Sequence, residues 1–132
     1  MREYMRLEFC VKKSILENEN IKEKIKMSIV KAKYNVITLC GSIRFKNEFM
    51  KVQEELTLDG NIVFTPNFFN NLKGEINAET KKMLDEMHRQ KIDMSNEIYV
   101  INCGGYIGES TKSEIEYAKA NGKKISYLED IR

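Results

Sequence analysis

Val36-Ile37-Thr38-Leu39-Cys40 is a nearly unbroken apolar run of strand length that opens straight into Gly41-Ser42-Ile43-Arg44. Such a run, without polar alternation, fits a strand covered on both faces, the pattern of a parallel sheet. From Phe45 to Asp59 the apolar positions Phe45, Phe49, Val52 and Leu56 fall at helical intervals, and Gly60 is a C-terminal stop. Asn61-Ile62-Val63-Phe64-Thr65 reads as a second strand, halted by Pro66. A strand-helix-strand unit closes right-handed with its strands parallel, which removes most other folds from consideration.

The alternation continues. A long helix is predicted from Ala78 to about Asn96, with Met83, Leu84, Met87 and Ile92 facing inward; Glu97 to Asn102 is the third strand, Thr111 to Asn121 a helix closed by Gly122, and Lys123 to Leu128 a fourth strand. The expected fold is a small doubly wound α/β domain, Rossmann-like or flavodoxin-like, with a parallel sheet and helices on both faces. Between the second strand and the long helix, Asn67-Phe68-Phe69-Asn70-Asn71-Leu72-Lys73-Gly74 breaks all periodicity. Its two phenylalanines either wall a ligand site or fold back onto the core. Residues 1 to 34 differ: lysine and glutamate alternate with isolated apolar residues, and Ile15, Leu16, Ile21, Ile25 and Ile29 recur at roughly helical spacing. They read as a helical N-terminal extension that packs on the core or on a second subunit. The organisation is therefore an extension over 1–34 and an α/β domain over 35–132.

At 132 residues the chain has room for one such domain and no second catalytic one. Lys+Arg number 22 and Asp+Glu 20, a net charge of +2, which gives no electrostatic footprint for a nucleic acid partner and leaves a small anion as the charged ligand to expect. No apolar run reaches the roughly 20 residues of a membrane span, and the first residues carry no secretory apolar core, so no membrane partner and a cytoplasmic location are expected. Cys10, Cys40 and Cys103 are far apart and the chain has one histidine. That spacing argues against zinc, and the place of Cys40 and Cys103 in or at the end of apolar strands reads as small buried hydrophobes in a reducing compartment. No metal and no cofactor are expected.

An open parallel sheet binds its ligand at the carboxyl ends of its strands, and two loops stand there. In the first, Gly41 lets backbone approach a ligand, Ser42 donates, and Arg44 stands where the next helix begins, a nest suited to phosphate; a common turn with a surface arginine is the competing reading. In the second, Gly104-Gly105 and Gly108 free the backbone, and Ser110, Thr111, Ser113 and Glu114 follow at a helix start. Thr111-Lys112-Ser113-Glu114 also fits a capping box, in which Glu114 would reach back to the cap residue's own N–H. Glu109, within the loop, is a rival carboxylate expected to be solvated. Tyr106 is a ligand-contact residue by position, either stacking on a base or packing against the phenylalanines of the other loop. His88 is expected on an exposed or half-exposed helix flank, a surface imidazole with a general-acid role as the lesser alternative.

VITLCGSIR over Val36–Arg44, together with EIYVINCGGYIGESTKSEIEYA over residues 97–118, resembles the nucleoside 2-deoxyribosyltransferase superfamily, closest to the branch of deoxynucleoside 5'-monophosphate N-glycosidases and related nucleotide hydrolases. The similarity runs over about residues 35 to 128. It implies that Gly41, Ser42 and Arg44 hold a nucleotide 5'-phosphate, that Glu114 is the nucleophile, and that two or more copies assemble, a homodimer or larger homo-oligomer, with a neighbour completing each pocket. It also implies an aspartate on the helix before the third strand, at the position Arg89 occupies. Asp93 lies one turn further on and Asp85 one turn back, so either can take its place, with surface pairing to Arg89 as the competing reading for both; Asp93 is the one expected as second catalytic carboxylate. A tyrosine of the hydrolase branch is replaced by Thr38.

Cleavage of an N-glycosidic bond passes through an oxocarbenium-like sugar, which a carboxylate against C1' stabilises or captures. A helix amino end is expected to keep that carboxylate ionised. The expected substrate is a small-molecule nucleotide or nucleoside, the expected contacts Gly41, Ser42, Arg44, Tyr106, Gly108 and Ser110. Hydrolysis of a nucleoside 5'-monophosphate leads; deoxyribose transfer between bases and a non-catalytic nucleotide-binding module are the alternatives.

Overall fold

The computed structural model describes residues 33–69 and 74–131. The helices expected over 1–34, all but their last two residues, and the middle of the loop after Pro66 lie outside these. Tyr34–Arg132 forms one compact unit. Its elements in chain order are β1 (Asn35–Gly41), α1 (Lys46–Leu58), β2 (Asn61–Phe64), α2 (Ala78–Asp93), β3 (Glu97–Ile101), α3 (Glu109–Ala120) and β4 (Lys124–Tyr127), with short 3-10 turns at Ile43–Phe45 and Cys103–Gly105.

The four strands form one sheet in the order β2-β1-β3-β4, every neighbour parallel. Chain progress therefore reverses between β1 and β3: the β1–α1–β2 unit winds to one edge, and β3 and β4 build toward the other. In such sheets the crevice at the carboxyl ends of the two reversal strands is left uncovered by helices. Among the described residues no helix is long and apolar enough to cross a membrane.

Side-chain alternation along each strand divides the core into two layers. Ile37 and Leu39 of β1 and Ile101 of β3 meet Phe49 and Val52 of α1, with Phe45, Leu56 and Phe68 packed at the margin. On the opposite face Cys40, Ile98 and Val100 meet Ile92 of α2 and Ile115 and Ala118 of α3. This is the doubly wound arrangement that the apolar run of β1 requires, since Ile37, Thr38, Leu39 and Cys40 are all buried.

Two local expectations are corrected, and an alternative left open for the loop phenylalanines is decided. Met83 and Met87 do not face inward; they are 51% and 45% exposed, and the stripe that α2 turns to the core is His88 and Ile92. Leu84 and Ile92 are eight residues apart, and His88 midway between them shares their face at the 3.6-residue period; the methionines lie off it. α3 begins at Glu109 rather than Thr111, because Gly108 caps it and its carbonyl accepts from Lys112 N–H at 2.9 Å. Of the two loop phenylalanines, Phe68 folds back edge-on to Phe49, centroids 5.3 Å apart, and Phe69 is exposed.

Candidate functional site

Gly41 ends β1 in tight quarters: a Cβ there would stand 2.8 Å from the Ile101 carbonyl oxygen and 3.1 Å from Phe49 Cζ. Only glycine lets β1 end flush against β3 and the chain turn at once toward α1. Ser42 Oγ then accepts the Arg44 N–H at 3.3 Å and caps the turn. Across the crevice, Gly104 and Gly105 take successive left-handed conformations, φ 62° and 78°. That bend is tied down by Asn102, whose side chain bonds both backbone groups of Glu129, and by the Gly105 N–H donating to the Glu129 carboxylate at 3.1 Å. The bend delivers Tyr106 to the crevice.

Between the two loops lies a cavity of about 430 Å³, within the range of small-molecule sites. Gly41, Ser42 and Ile43 form one wall; Pro66 and Asn67 after β2 close an end; Tyr106, Gly108, Ser110, Thr111 and Glu114 form the facing wall; and α2 supplies Lys81, Leu84, Asp85, His88 and Lys91. A smaller recess shares Asp85, Glu109, Ser110 and Glu114 and adds Arg89 and Ser113. The expected contacts Gly41, Ser42, Tyr106, Gly108 and Ser110 are thus brought together with Glu114.

Arg44 stands behind that wall. Its guanidinium lies 4.2 Å from the centroid of the Tyr106 ring, Nη2 donates to the Tyr106 hydroxyl at 3.3 Å, and Phe45 meets the same ring edge-on. Tyr106 therefore packs on Phe45, not on the phenylalanines of the loop after β2. Asp93 lies outside the cavity: it ends α2 and accepts the Tyr117 hydroxyl at 2.6 Å. The α2 carboxylate that does reach the cavity is Asp85, two turns nearer the amino end. Arg89 donates to Ser113 Oγ at 3.1 Å and faces the Tyr117 ring. Thr38 is in neither recess; its hydroxyl donates to the Lys91 carbonyl and contacts Ser95 Oγ, pinning the end of α2 to β1.

Glu114 does not cap its helix. With α3 starting at Glu109 it sits in the second turn and turns toward the sheet, where Cys40 and His88 meet it. Cys40 Sγ lies 3.5 Å from His88 Nε2, and His88 Nε2 lies 3.7 Å from Glu114 Oε2. The electrostatics follow from burial. Desolvation raises the Glu114 pKa to about 7; the Cys40 hydrogen bond and the Arg89 charge pull the other way, and the Asp85 charge adds to the rise. Removal from water likewise lowers His88 to about 4, with the Lys91 charge helping and that of Asp85 opposing, and pushes the Cys40 thiol well above its ordinary value. His88 is therefore neutral at pH 7, and its contact with Glu114 is no ion pair there. Glu114 lies beyond the first turn, and burial leaves it only partly ionised at neutral pH rather than fully ionised as a helix end alone would keep it.

Sequence reasoning missed Cys40, Lys81 and Lys91, set His88 on an exposed or half-exposed flank where the structure buries it, and weighed Asp85 only beside Asp93. The signal for His88 was its place midway between Leu84 and Ile92; for Cys40, its place as the last side chain of β1 before the glycine. Compared with known proteins, the chain matches no family model and no curated protein.

Proposed function

We propose that this chain cleaves the N-glycosidic bond of a nucleoside 5'-monophosphate, releasing the base, with Glu114 as the group that meets C1'. One observation carries the reading: a half-buried carboxylate stands on one wall of a nucleotide-sized crevice whose opposite wall is the Gly41-Ser42 turn. The turn offers backbone N–H groups and a hydroxyl to a phosphate, and Arg44, held on Tyr106 outside the cavity lining, supplies a nearby positive charge. Glu114, in its ionised form, stabilises or bonds the cationic sugar as the base departs. Water completes hydrolysis. The likeness of both loops to the deoxyribosyltransferase superfamily supports the same assignment, and with it an assembly of two or more copies, which sedimentation equilibrium of the full chain measures.

A second reading, deoxyribose transfer between free nucleosides, is favoured by the engagement of Arg44 with Tyr106 rather than with the cavity interior. The deciding experiment incubates the protein with a panel of deoxynucleoside and ribonucleoside 5'-monophosphates and the matching nucleosides, alone and with a second base, and separates the free bases chromatographically. Base release from monophosphates, lost in Glu114→Ala, is the expected result. Exchange of bases on unphosphorylated nucleosides selects transfer. Binding of a monophosphate without base release leaves a non-catalytic module, and the hydrolytic proposal fails.

A further inference from the structure

Cys40, His88 and Glu114 come from three different elements, the end of β1, the middle of α2 and the second turn of α3, and their donor atoms all lie within 4.8 Å of one another. A tetrahedral zinc ion with bonds of about 2.0 to 2.3 Å to sulfur, nitrogen and oxygen sets its ligand atoms about 3.3 to 3.7 Å apart. The observed Sγ–Nε2 separation of 3.5 Å matches the sulfur–nitrogen edge, the Nε2–Oε2 separation of 3.7 Å is a few tenths of an ångström longer than the nitrogen–oxygen edge, and the sulfur and the carboxylate lie within 4.8 Å of each other, so a small side-chain adjustment closes the site on the ion. His88 and Glu114 line the cavity and Cys40 lies beneath them, fully buried. Three ligands from the protein and one position facing a cavity is the pattern of an open metal site.

We infer that the floor of the cavity is a binding site for a single thiophilic divalent cation of the zinc class, held by Cys40 Sγ, His88 Nε2 and Glu114 Oε2, with its fourth position open to the cavity. The donor set decides the class: one thiolate, one imidazole and one carboxylate suit Zn²⁺ or Co²⁺, whereas Mg²⁺ and Ca²⁺ take oxygen ligands. Binding forms one bond each to sulfur, nitrogen and oxygen and releases the thiol proton to solvent, together with the Glu114 proton where that is present. The neutral His88 needs no deprotonation. It does need its ring proton on Nδ1, which is buried and has no hydrogen-bond partner among the described residues. Metal-bound histidines ordinarily donate that proton to a carboxylate or carbonyl, and lack of the partner costs 10- to 100-fold in affinity. A loosely held, exchangeable ion is therefore expected. Because the ion takes the Glu114 carboxylate, it excludes any ligand that needs the same oxygen.

The test is titration of the full, reduced, metal-stripped chain with Co²⁺. One equivalent is expected to produce the intense visible bands of four-coordinate cobalt together with a near-ultraviolet thiolate-to-cobalt charge-transfer band, both erased by Zn²⁺. The charge-transfer band should vanish in Cys40→Ala and persist in Cys10→Ala and Cys103→Ala, and His88→Gln should weaken binding at least tenfold. X-ray absorption of the zinc-loaded wild-type protein covers the case in which the Cys40 variant does not fold. A shell of one sulfur at about 2.3 Å and nitrogen or oxygen at about 2.0 Å is expected. An oxygen-only shell, a charge-transfer band that survives Cys40→Ala in the folded protein, or no four-coordinate spectrum even with cobalt in excess each overturns the inference. None of these readouts involves catalysis, so they stand or fall apart from the glycosidase reading.

Discussion

Glu114 and Asp93 are both carboxylates on helices flanking the same face of the sheet, and their surroundings set them to different work. The Glu114 side chain is 21% exposed and opens onto the cavity, with its pKa raised to about 7 by burial. Asp93 is tied to the Tyr117 hydroxyl away from it. Glu114→Ala is therefore expected to reduce base release by at least about 10³-fold, the scale of losing a group that acts only on the transition state, whereas Asp93→Asn should leave kcat/KM within about twofold. Activity surviving Glu114→Ala within tenfold removes the carboxylate from the chemistry. The acid limb of the kcat/KM profile follows from the same environment. In its proposed role as nucleophile Glu114 works ionised, so the rate should climb with pH and level off above about 7. A rate that instead falls through that value identifies the protonated form as the active one and makes Glu114 an acid.

At the scale of elements, the site depends on where strands and helices end. Gly41 is the sharpest case: Gly41→Ala places a methyl group 2.8 Å from the Ile101 carbonyl oxygen, so β1 and β3 must part at the lip of the crevice. A cost of about 2 to 4 kcal/mol in urea unfolding is expected, with loss of ligand binding in whatever folded protein remains. A variant as stable as wild type shows the lip to be compliant. At the start of α2, Asn77 Oδ1 accepts the Thr80 N–H at 2.8 Å. Asn77→Ala should cost about 1 kcal/mol there, a cap's ordinary worth. The strands and their order of appearance were legible in the sequence because the central strands β1 and β3, covered on both faces, show as apolar runs, and the shorter edge strands β2 and β4 each follow a glycine that ends the preceding helix. The phase of α2 was not, since four apolar residues offered two overlapping stripes and hydropathy alone ranks methionine with leucine and histidine with neither. Nor was the start of α3: Thr111-Lys112-Ser113-Glu114 has the composition of a cap, but Gly108 lets the helix begin earlier, and Thr111 is used instead as a buried packing residue. Each misreading concerned one turn of helix, and each hid a member of the Cys40, His88 and Glu114 cluster, whose parts are local to nothing in the chain.

For the molecule as a whole, that cluster ties folding stability to pH through two opposed titrations. Glu114 binds a proton more readily folded than unfolded, about 7 against 4.5, so it contributes stability that is fully present below pH 4.5 and lost as pH rises through 7. His88 is depressed from 6.5 to about 4, so its contribution is present above 6.5 and lost as pH falls through 4. Over most of the range between about pH 4 and 7 the unfolded chain holds the extra proton at His88 and the folded chain holds it at Glu114, so the two slopes oppose and largely cancel. Substitution separates them. Relative to wild type, Glu114→Gln should gain as pH rises from 4.5 to 7, and His88→Gln should gain as pH falls from 6.5 to 4, each difference spanning up to about 3 kcal/mol. Urea unfolding at half-unit pH steps measures both, and using differences from wild type removes the contribution of every other carboxylate. Two flat difference curves would mean that water reaches His88 and Glu114 freely, and a carboxylate so well hydrated would stay ionised at neutral pH with its acid limb back in the ordinary carboxylate range.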